Sequence, residues 1–301
     1  MLLWILVFGF WSFSSDPALA ATAHVTPSAD TALLENFPTN NLGGQTWFNA
    51  GTTQIFTKNR GLLKFDIATA IPAGARITAV SLTVHVTKSP VDGDLPSTFD
   101  LHRMLVDWGE GNKSGDPPLL GAEATLGEAN WTHRFALTTN AWGTPGGATG
   151  IDFASESSAD TYVYGVHFSP YVFELNTNMI ADVQLWLDHP EQNLGWMLKT
   201  RNEAENFSAR RFASREDEFL PPLLVVEYSM VHFEHITKSG NNIILAIGAA
   251  AGQPFSVEYC DELFGDRWLG LTNVPAQAEA TLIHLEVPIV SHGRFYRLRS
   301  E

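Results

Sequence analysis

The chain has 301 residues, of which 45% are hydrophobic, 17% are charged and 11% are aromatic, and its formal net charge is −15. Such an acidic chain is a poor partner for nucleic acid, because nucleic-acid binding depends on neutralising phosphates with Lys and Arg. The low charge content, the many turn formers and the many aromatic residues favour strands over helices, and the length allows one large domain with a second, small one.

The first 20 residues predict a secretory signal. Residues 2–11 form an unbroken apolar run that is too short to span a membrane, and residues 18–20 (Ala-Leu-Ala) match a small-x-small cleavage site. No Lys or Arg precedes the apolar run, which departs from the usual pattern. No later segment has about 18 consecutive apolar residues, so we expect no membrane span. The mature chain would carry 18 basic and 32 acidic residues and would be secreted or held at the cell surface.

Short alternating runs separated by turn formers predict β-strands in the large N-terminal region. In residues 59–67, Leu63 and Phe65 share one face, while Arg60 and Lys64 share the other. Three further strands are predicted at residues 80–86, 99–106 and 223–228.

One helix and one irregular stretch interrupt these strands. Thr177–Asp188 has apolar residues at helical spacing and is followed by Pro190, which predicts a short helix. Between residues 109 and 170 turn formers dominate, and a stretch of that length usually carries function or contains short strands.

A domain boundary is predicted at residues 230–240, which we assign to a linker. The tail, residues 241–301, has four predicted strands, at 242–247, 254–260, 280–287 and 293–298. The predicted fold class is therefore all-β: a jelly-roll-like β-sandwich over residues 21–229, followed by a small second β-sandwich that serves as an accessory domain.

The large region also contains an ordered series of motifs. They include, in chain order, Ala29-Asp30-Thr31, Asn40-Asn41-Leu42-Gly43-Gly44, Arg60-Gly61-Leu62-Leu63-Lys64-Phe65-Asp66, Asp107-Trp108-Gly109-Glu110-Gly111, Val183-Gln184-Leu185-Trp186-Leu187, Asn193-Leu194-Gly195-Trp196 and Arg211-Phe212-Ala213-Ser214-Arg215-Glu216. This series resembles the DNRLRE-type carbohydrate-binding modules, β-sandwich domains of exported bacterial and archaeal proteins, over roughly residues 28–229. The hexapeptide that names the family does not occur literally. The resemblance implies a non-catalytic polysaccharide-binding domain.

The tail has a resemblance of its own. Its motifs are Gly252-Gln253-Pro254-Phe255-Ser256-Val257-Glu258-Tyr259, Trp268, Leu271-Thr272-Asn273 and Arg294-Phe295-Tyr296-Arg297. They are similar to small C-terminal β-domains of exported planctomycete and verrucomicrobial proteins, which implies an accessory role.

The sequence contains no recognisable catalytic motif: no Gly-x-Ser-x-Gly, no His-Glu-x-x-His and no phosphate-binding loop. Asp107 and Glu110 are a conceivable general acid and base, but carboxylates that cap turns are the simpler interpretation, because proximity in sequence does not set the separation needed for glycoside hydrolysis. Cys260, the only cysteine, lies in a strand-like run and is expected to be buried and inert. We predict that the protein is not an enzyme.

Neither a cofactor nor zinc is expected, because the ten His residues lack metal-ligand spacing. A structural calcium ion is the one addition that the sequence leaves open. The oxygen ligands that cluster are those of Asp92-Gly93-Asp94, and of Asp107, Glu110, Asn112 and Asp116.

Basic and aromatic residues supply the candidate carbohydrate contacts. Eight basic residues fall in two windows, 58–64 and 199–215, and alternation places most of them opposite core residues, so we expect one outward surface that binds an acidic polysaccharide such as a uronate polymer. A solvated face that balances nearby acids is the alternative. Two tryptophans in the Gly-rich stretch could stack on sugar rings. The predicted binding residues are Arg60, Lys64, Lys199, Arg201, Arg211, Arg215, Trp131 and Trp142.

The favoured function is non-catalytic polysaccharide binding outside the cytoplasm. Two alternatives from other classes stay open: a structural or adhesive cell-surface protein that binds protein partners, and an uncharacterised polysaccharide-degrading enzyme.

Overall fold

The computed structural model describes residues 21–90, 95–115, 120–174, 177–249, 251–261, 267–279, 281–290 and 293–300. The predicted signal, residues 1–20, lies outside the described residues. The described part is all-β, as predicted, and divides into two compact units. The large unit comprises Thr22–Ala73 and Ala79–Val226, and the small unit contains Gly74–Thr78 and the chain from Glu227 onward.

Fourteen described strands precede residue 230. They are β1 (Ala21–Val25), β2 (Pro27–Leu34), β3 (Asn40–Asn41), β4 (Trp47–Thr52), β5 (Lys58–Phe65), β6 (Arg76–Val84), β7 (Val86–Lys88), β8 (Ser97–Arg103), β9 (Ala122–Glu123), β10 (Ala159–Val163), β11 (Tyr171–Phe173), β12 (Trp196–Thr200), β13 (Arg210–Ala213) and β14 (Leu223–Ser229). One sheet has the order β1-β14-β6-β11, and a larger sheet has the order β10-β8-β12-β5-β4-β13-β7, with β2 paired to β5. A short ladder joins β3 to β9.

Alternating apolar residues bury one face of each sheet. In β6 these are Val80, Leu82 and Val84. In the larger sheet, Phe212 lies between two rings, with centroids 5.6 Å from Phe48 and 5.5 Å from Phe99. Burial of such rings is the main favourable contribution to the stability of a sandwich.

The second face of the larger sheet is covered as well. The connection from β8 to β10, residues 104–158, is named the covering loop, and it contributes four aromatic residues to one apolar cluster: Trp108, Trp131, Trp142 and Phe153. The sheet contributes Leu33, Leu62 and Met197 to the same cluster. Leu62 and its neighbour Leu63 are both fully buried. Since successive residues of a strand point to opposite faces, β5 is buried on both faces.

Two α-helices are described, α1 (Ile67–Ala70) and α2 (Thr177–Asp188), with 3-10 turns at Val166–Phe168 and Pro190–Gln192. The range of α2 is the predicted one. Its buried carboxylate, Asp182, accepts hydrogen bonds from Ser158 Oγ at 2.5 Å and Trp196 Nε1 at 2.9 Å, and it pairs with Arg103. Burial raises the pKa of Asp182, although these partners oppose the shift. No helix in the described part of the chain is long and apolar enough to cross a membrane.

The described strands of the small unit are β15 (His232–Ser239), β16 (Asn242–Ala249), β17 (Phe255–Cys260), β18 (Leu269–Val274), β19 (Thr281–Pro288) and β20 (Phe295–Ser300). They form two three-stranded sheets, β15-β16-β19 and β18-β17-β20. Apolar residues of both sheets form one buried cluster, and the buried Cys260 ends β17. The segment predicted to be a linker, residues 230–240, instead contains β15, which pairs with β16 along its length.

Candidate functional site

The two tryptophans predicted to stack on sugars are buried. Trp131 is 6% exposed and Trp142 is 5% exposed, and both belong to the cluster beneath the covering loop. The indole N–H of Trp142 donates to the carbonyl of Asn130 at 2.8 Å. Gly146 lies so close to the ring of Trp131 that an added Cβ would come within 2.5 Å of it. Neither ring can offer its face to a ligand, so the prediction of their exposure is wrong.

Arg60 is also buried, contrary to the expected outward position. Its Nη1 donates to the carbonyls of Gly146 (2.8 Å) and Gly147 (2.9 Å), and its Nε and Nη2 bind the carboxylate of Glu203 at 2.8 and 2.7 Å. The guanidinium lies 5.7 Å from the ring centroid of Trp131. Arg60 therefore attaches the covering loop to β5, and its contacts are those of a residue that stabilises the fold.

Burial by itself would raise the pKa of Glu203, but the hydrogen bonds and the charge of Arg60, together with the charges of Lys199 and Lys58, outweigh that effect and hold the pKa below its ordinary value. The carboxylate is thus held in its charged form by these cations.

Three more of the predicted cations each contact a carboxylate or an aromatic ring. Lys64 Nζ is 3.5 Å from Asp107. The guanidinium of Arg211 lies over the ring of Trp47, 4.4 Å from its centroid. Arg215 Nε contacts Glu110 at 2.5 Å and Glu216 at 3.0 Å. The expectation that these three cations are available to a ligand is therefore wrong, since each already has a partner.

Lys64 lines a cleft of about 290 Å³. The carboxylates of Asp66, Asp107 and Glu191 also line this cleft, so acids outnumber the single lysine. An anionic ligand would meet more repulsion than attraction there.

Arg215 also covers a buried carboxyl group. The carboxylate of Asp30, which is 1% exposed, accepts the backbone N–H of Arg215 at 2.7 Å. Burial raises the pKa of Asp30 well above its ordinary value, and the nearby carboxylates of Glu216 and Glu110 add to the shift. This corner therefore contains a carboxyl group that resists ionisation.

Two of the predicted cations, Lys199 and Arg201, do lie on one face of the larger sheet. The strand register places Asp100 of β8 opposite Lys199 of β12 on one side and opposite Asp160 of β10 on the other. Arg201 Nη2 bridges the two carboxylates, at 2.6 Å from Asp100 Oδ1 and 3.0 Å from Asp160 Oδ2. These contacts raise the pKa of Arg201. The guanidinium of Arg201 thereby offsets the repulsion between these two carboxylates, which lie directly opposite each other on neighbouring strands.

Tyr162 of β10 lies on this face, and its ring begins a row of three exposed aromatic rings that sequence reasoning missed. Tyr162, Tyr164 and Phe168 are 50%, 47% and 68% exposed, and they are named the aromatic strip. The ring centroids of Tyr162 and Tyr164 are 5.0 Å apart with planes at 78°, and those of Tyr164 and Phe168 are 5.3 Å apart. The sequence carried a short signal, because the polar or aromatic Asp160, Tyr162 and Tyr164 alternate with the smaller residues of 159–163 at strand spacing.

Hydrogen bonds fix the backbone beneath the aromatic strip. The hydroxyl of Tyr171 accepts the N–H groups of Tyr164 and Gly165, at 3.1 and 2.9 Å, and donates to the carbonyl of Gly165 at 2.6 Å. The buried Arg210 donates from Nε and Nη2 to the carbonyl of Tyr164, and from Nη2 to the carbonyl of Leu95. The strip is therefore built on an ordered support.

The described residues contain no group of three or more His, Cys, Asp or Glu side chains that could hold a metal ion. Asp92, Gly93, Asp94 and Asp116, four of the residues considered for calcium, lie outside the described residues. Of the others, Asp107 contacts Lys64, and Glu110 contacts Arg215.

A scan of the chain against protein-family models found no match, and a search of curated proteins found none either. The resemblance to DNRLRE-type modules therefore rests on the sequence motifs and stays a hypothesis.

Proposed function

We propose that the protein is an exported, non-catalytic carbohydrate-binding protein and that the aromatic strip is its sugar-contacting surface. The observation that carries this proposal is the packing of three exposed aromatic rings beside an array of ion-paired polar groups on one sheet face. Soluble proteins seldom leave such aromatic groups exposed together unless they bind a partner.

The chemistry of this face suits a sugar chain. A pyranose ring has apolar C–H faces, which aromatic rings cover well, and a rim of hydroxyl groups that both donate and accept hydrogen bonds. Asp160 provides acceptors and Arg201 provides donors next to Tyr162 on the same sheet face. Three rings in succession favour several consecutive sugars over a single one.

A non-catalytic role is supported by the state of the two carboxylates. Asp100 and Asp160 are both bound to Arg201, which occupies the position between them. Hydrolysis of a glycoside needs one carboxyl group that donates a proton to the glycosidic oxygen and a second carboxylate that acts as a base or nucleophile. The sugar must fit between the two groups.

A glycan array with the purified protein, followed by calorimetry on any ligand found, tests the proposal. Tyr164→Ala should weaken binding at least about tenfold, the effect of losing a contact of about 1.4 kcal/mol. Phe219→Ala is the matched control, since Phe219 is an exposed aromatic residue outside the strip. Unchanged binding in folded Tyr164→Ala would contradict the assignment of the surface, and release of sugar products would contradict the non-catalytic role.

A protein partner is the second candidate, and one observation favours it. Strand β10, which carries Tyr162, ends the strand order of the larger sheet, and an edge strand can pair with a strand of another protein. If the array shows no ligand, sedimentation of the protein at increasing concentration, alone and with an extract of the cell surface, tests this alternative.

A further inference from the structure

Among the charged side chains that border the aromatic strip, negative charge exceeds positive charge at the surface. Asp160 and Tyr162 are two residues apart on one strand, so they project from the same side of the sheet. The side chain of Asp160 is 48% exposed, and it shares Arg201 with the buried Asp100. One guanidinium between two carboxylates leaves this group with an excess of one negative charge.

The neighbouring cations do not reverse this sign beside the strip. Lys199 is 12% exposed and contacts Glu203 at 3.7 Å, and Arg60 binds the same carboxylate. Burial lowers the pKa of Lys199, although Glu203 opposes the shift. Both cations thus lie largely beneath the surface, whereas Asp160 lies at it.

From these positions, resting on the proposed function, we propose that the aromatic strip binds neutral glycans and that Asp160 excludes uronate polymers from it. A uronate placed on Tyr162 would bring its carboxylate close to that of Asp160, and the two would repel each other. The excess of acidic residues in the chain adds repulsion at longer range. A neutral sugar meets neither cost, and its hydroxyl groups donate to the exposed oxygens of Asp160.

This specificity differs from the acidic polysaccharide expected from the sequence. That expectation required available cations on an outward surface. In the structure Arg60, Lys64, Lys199, Arg201 and Arg215 each contact a carboxylate.

The test compares neutral and acidic ligands on the purified protein by affinity electrophoresis and calorimetry. The neutral probes are cellohexaose, xylohexaose, mannohexaose and fully methyl-esterified polygalacturonate, and the acidic probes are polymannuronate and unmodified polygalacturonate. The two polygalacturonates have one backbone and differ in charge, which makes them a matched pair. Each is measured at low salt and at about 0.5 M salt, where exposed charges are screened.

Wild type should bind at least one neutral probe and should bind uronates at least tenfold more weakly at low salt. Asp160→Asn should weaken neutral binding, because a charged acceptor of the sugar hydroxyl groups is lost, and should strengthen uronate binding at least fivefold at low salt, with the gain disappearing at about 0.5 M salt. Asp188→Asn, the same charge change on α2, should leave the preference unchanged. Circular dichroism shows whether each variant is folded, and Asp160→Ser serves as a second variant.

The outcomes separate the two proposals. Equal binding of both classes that depends on Tyr164 would overturn the specificity and leave the proposed function standing, as would an Asp160→Asn protein with the preference of wild type. Absence of binding to every probe and to the array would overturn both.

Discussion

Two groups of aromatic residues come from one stretch of the chain and lie in opposite environments. Those of the covering loop, such as Trp131 and Trp142, are buried against Leu62 and Met197, whereas those of the aromatic strip are 47–68% exposed. The buried group needs a covering segment with glycine turns and a buried ion pair to hold it. The exposed group follows an edge strand and is supported by hydrogen bonds from Tyr171 and the buried Arg210. Aromatic content in a polar, Gly-rich stretch therefore does not distinguish core from binding surface, and the difference arises from contacts distant in sequence.

Removing a ring from the buried group gives the largest expected effect. Trp131→Ala should lower the free energy of unfolding by about 3–5 kcal/mol, because a cavity replaces the indole. Urea denaturation measures this loss. A loss below about 1 kcal/mol would show that the covering loop is not packed as described.

Breaking the ion pair that holds the covering loop should be almost as costly. Arg60→Ala leaves Glu203 and the carbonyls of Gly146 and Gly147 without their donor, and we expect a loss of about 3 kcal/mol. The double variant Arg60→Met with Glu203→Gln should be less destabilised than Arg60→Ala, because the carboxylate that Arg60 neutralised is replaced by a neutral amide, while Lys199 keeps Asp100 opposite it in the strand register. A double variant that loses as much as the sum of both single changes would contradict this account.

The raised pKa of Asp30 predicts that the stability of the folded protein depends on pH. Burial raises the pKa of Asp30 in the folded state above its unfolded value of about 3.9, so the folded protein binds this proton more tightly. The resulting stability is present below about pH 4 and is lost as the pH rises through the folded pKa. Asp30→Asn keeps an acceptor for the N–H of Arg215 and should be more stable than wild type at pH 7, with a smaller difference at pH 4. Thermal unfolding across this range measures it, and the opposite trend would show that Arg215 outweighs burial.

The smallest effect on stability is expected in the exposed group. Tyr164→Ala should change the free energy of unfolding by about 0.5 kcal/mol or less, since half of the side chain already contacts solvent. Together with a loss of glycan binding, this result would separate a binding role from a packing role. A stability loss comparable to that of Trp131→Ala would remove the distinction between the two groups.

The sequence predicted the regular elements well where one face of an element is buried. Alternation located β5, β6 and β14, and helical spacing gave α2 its full range. The same alternation led to the prediction that Arg60 points outward, because an alternating pattern is usually taken to mean that one face of the strand contacts solvent. The adjacent pair Leu62 and Leu63 was the sign that both faces of β5 are buried.

The proposed binding surface was harder to predict than the fold. Tyr162 and Tyr164 lie in a stretch that turn formers dominate, so their short strand was hidden among loops. The partners of Arg201 and Arg215 come from residues about 100 positions away, at Asp100 and Glu110. Local patterns show the spacing of charges along the chain and cannot show which of them neutralise one another across a sheet.

The buried Arg210 has a consequence for the thermodynamics of any ligand bound at the strip. Its guanidinium donates hydrogen bonds to the carbonyls of Tyr164, Leu95 and Phe207. The hydroxyl of Tyr171 accepts hydrogen bonds from the adjacent backbone N–H groups. The backbone below the rings is therefore already ordered in the folded protein, and its loss of conformational entropy has occurred during folding. A sugar that docks there meets a surface that loses little further freedom, so the entropic cost of association falls mainly on the flexible glycosidic linkages of the ligand.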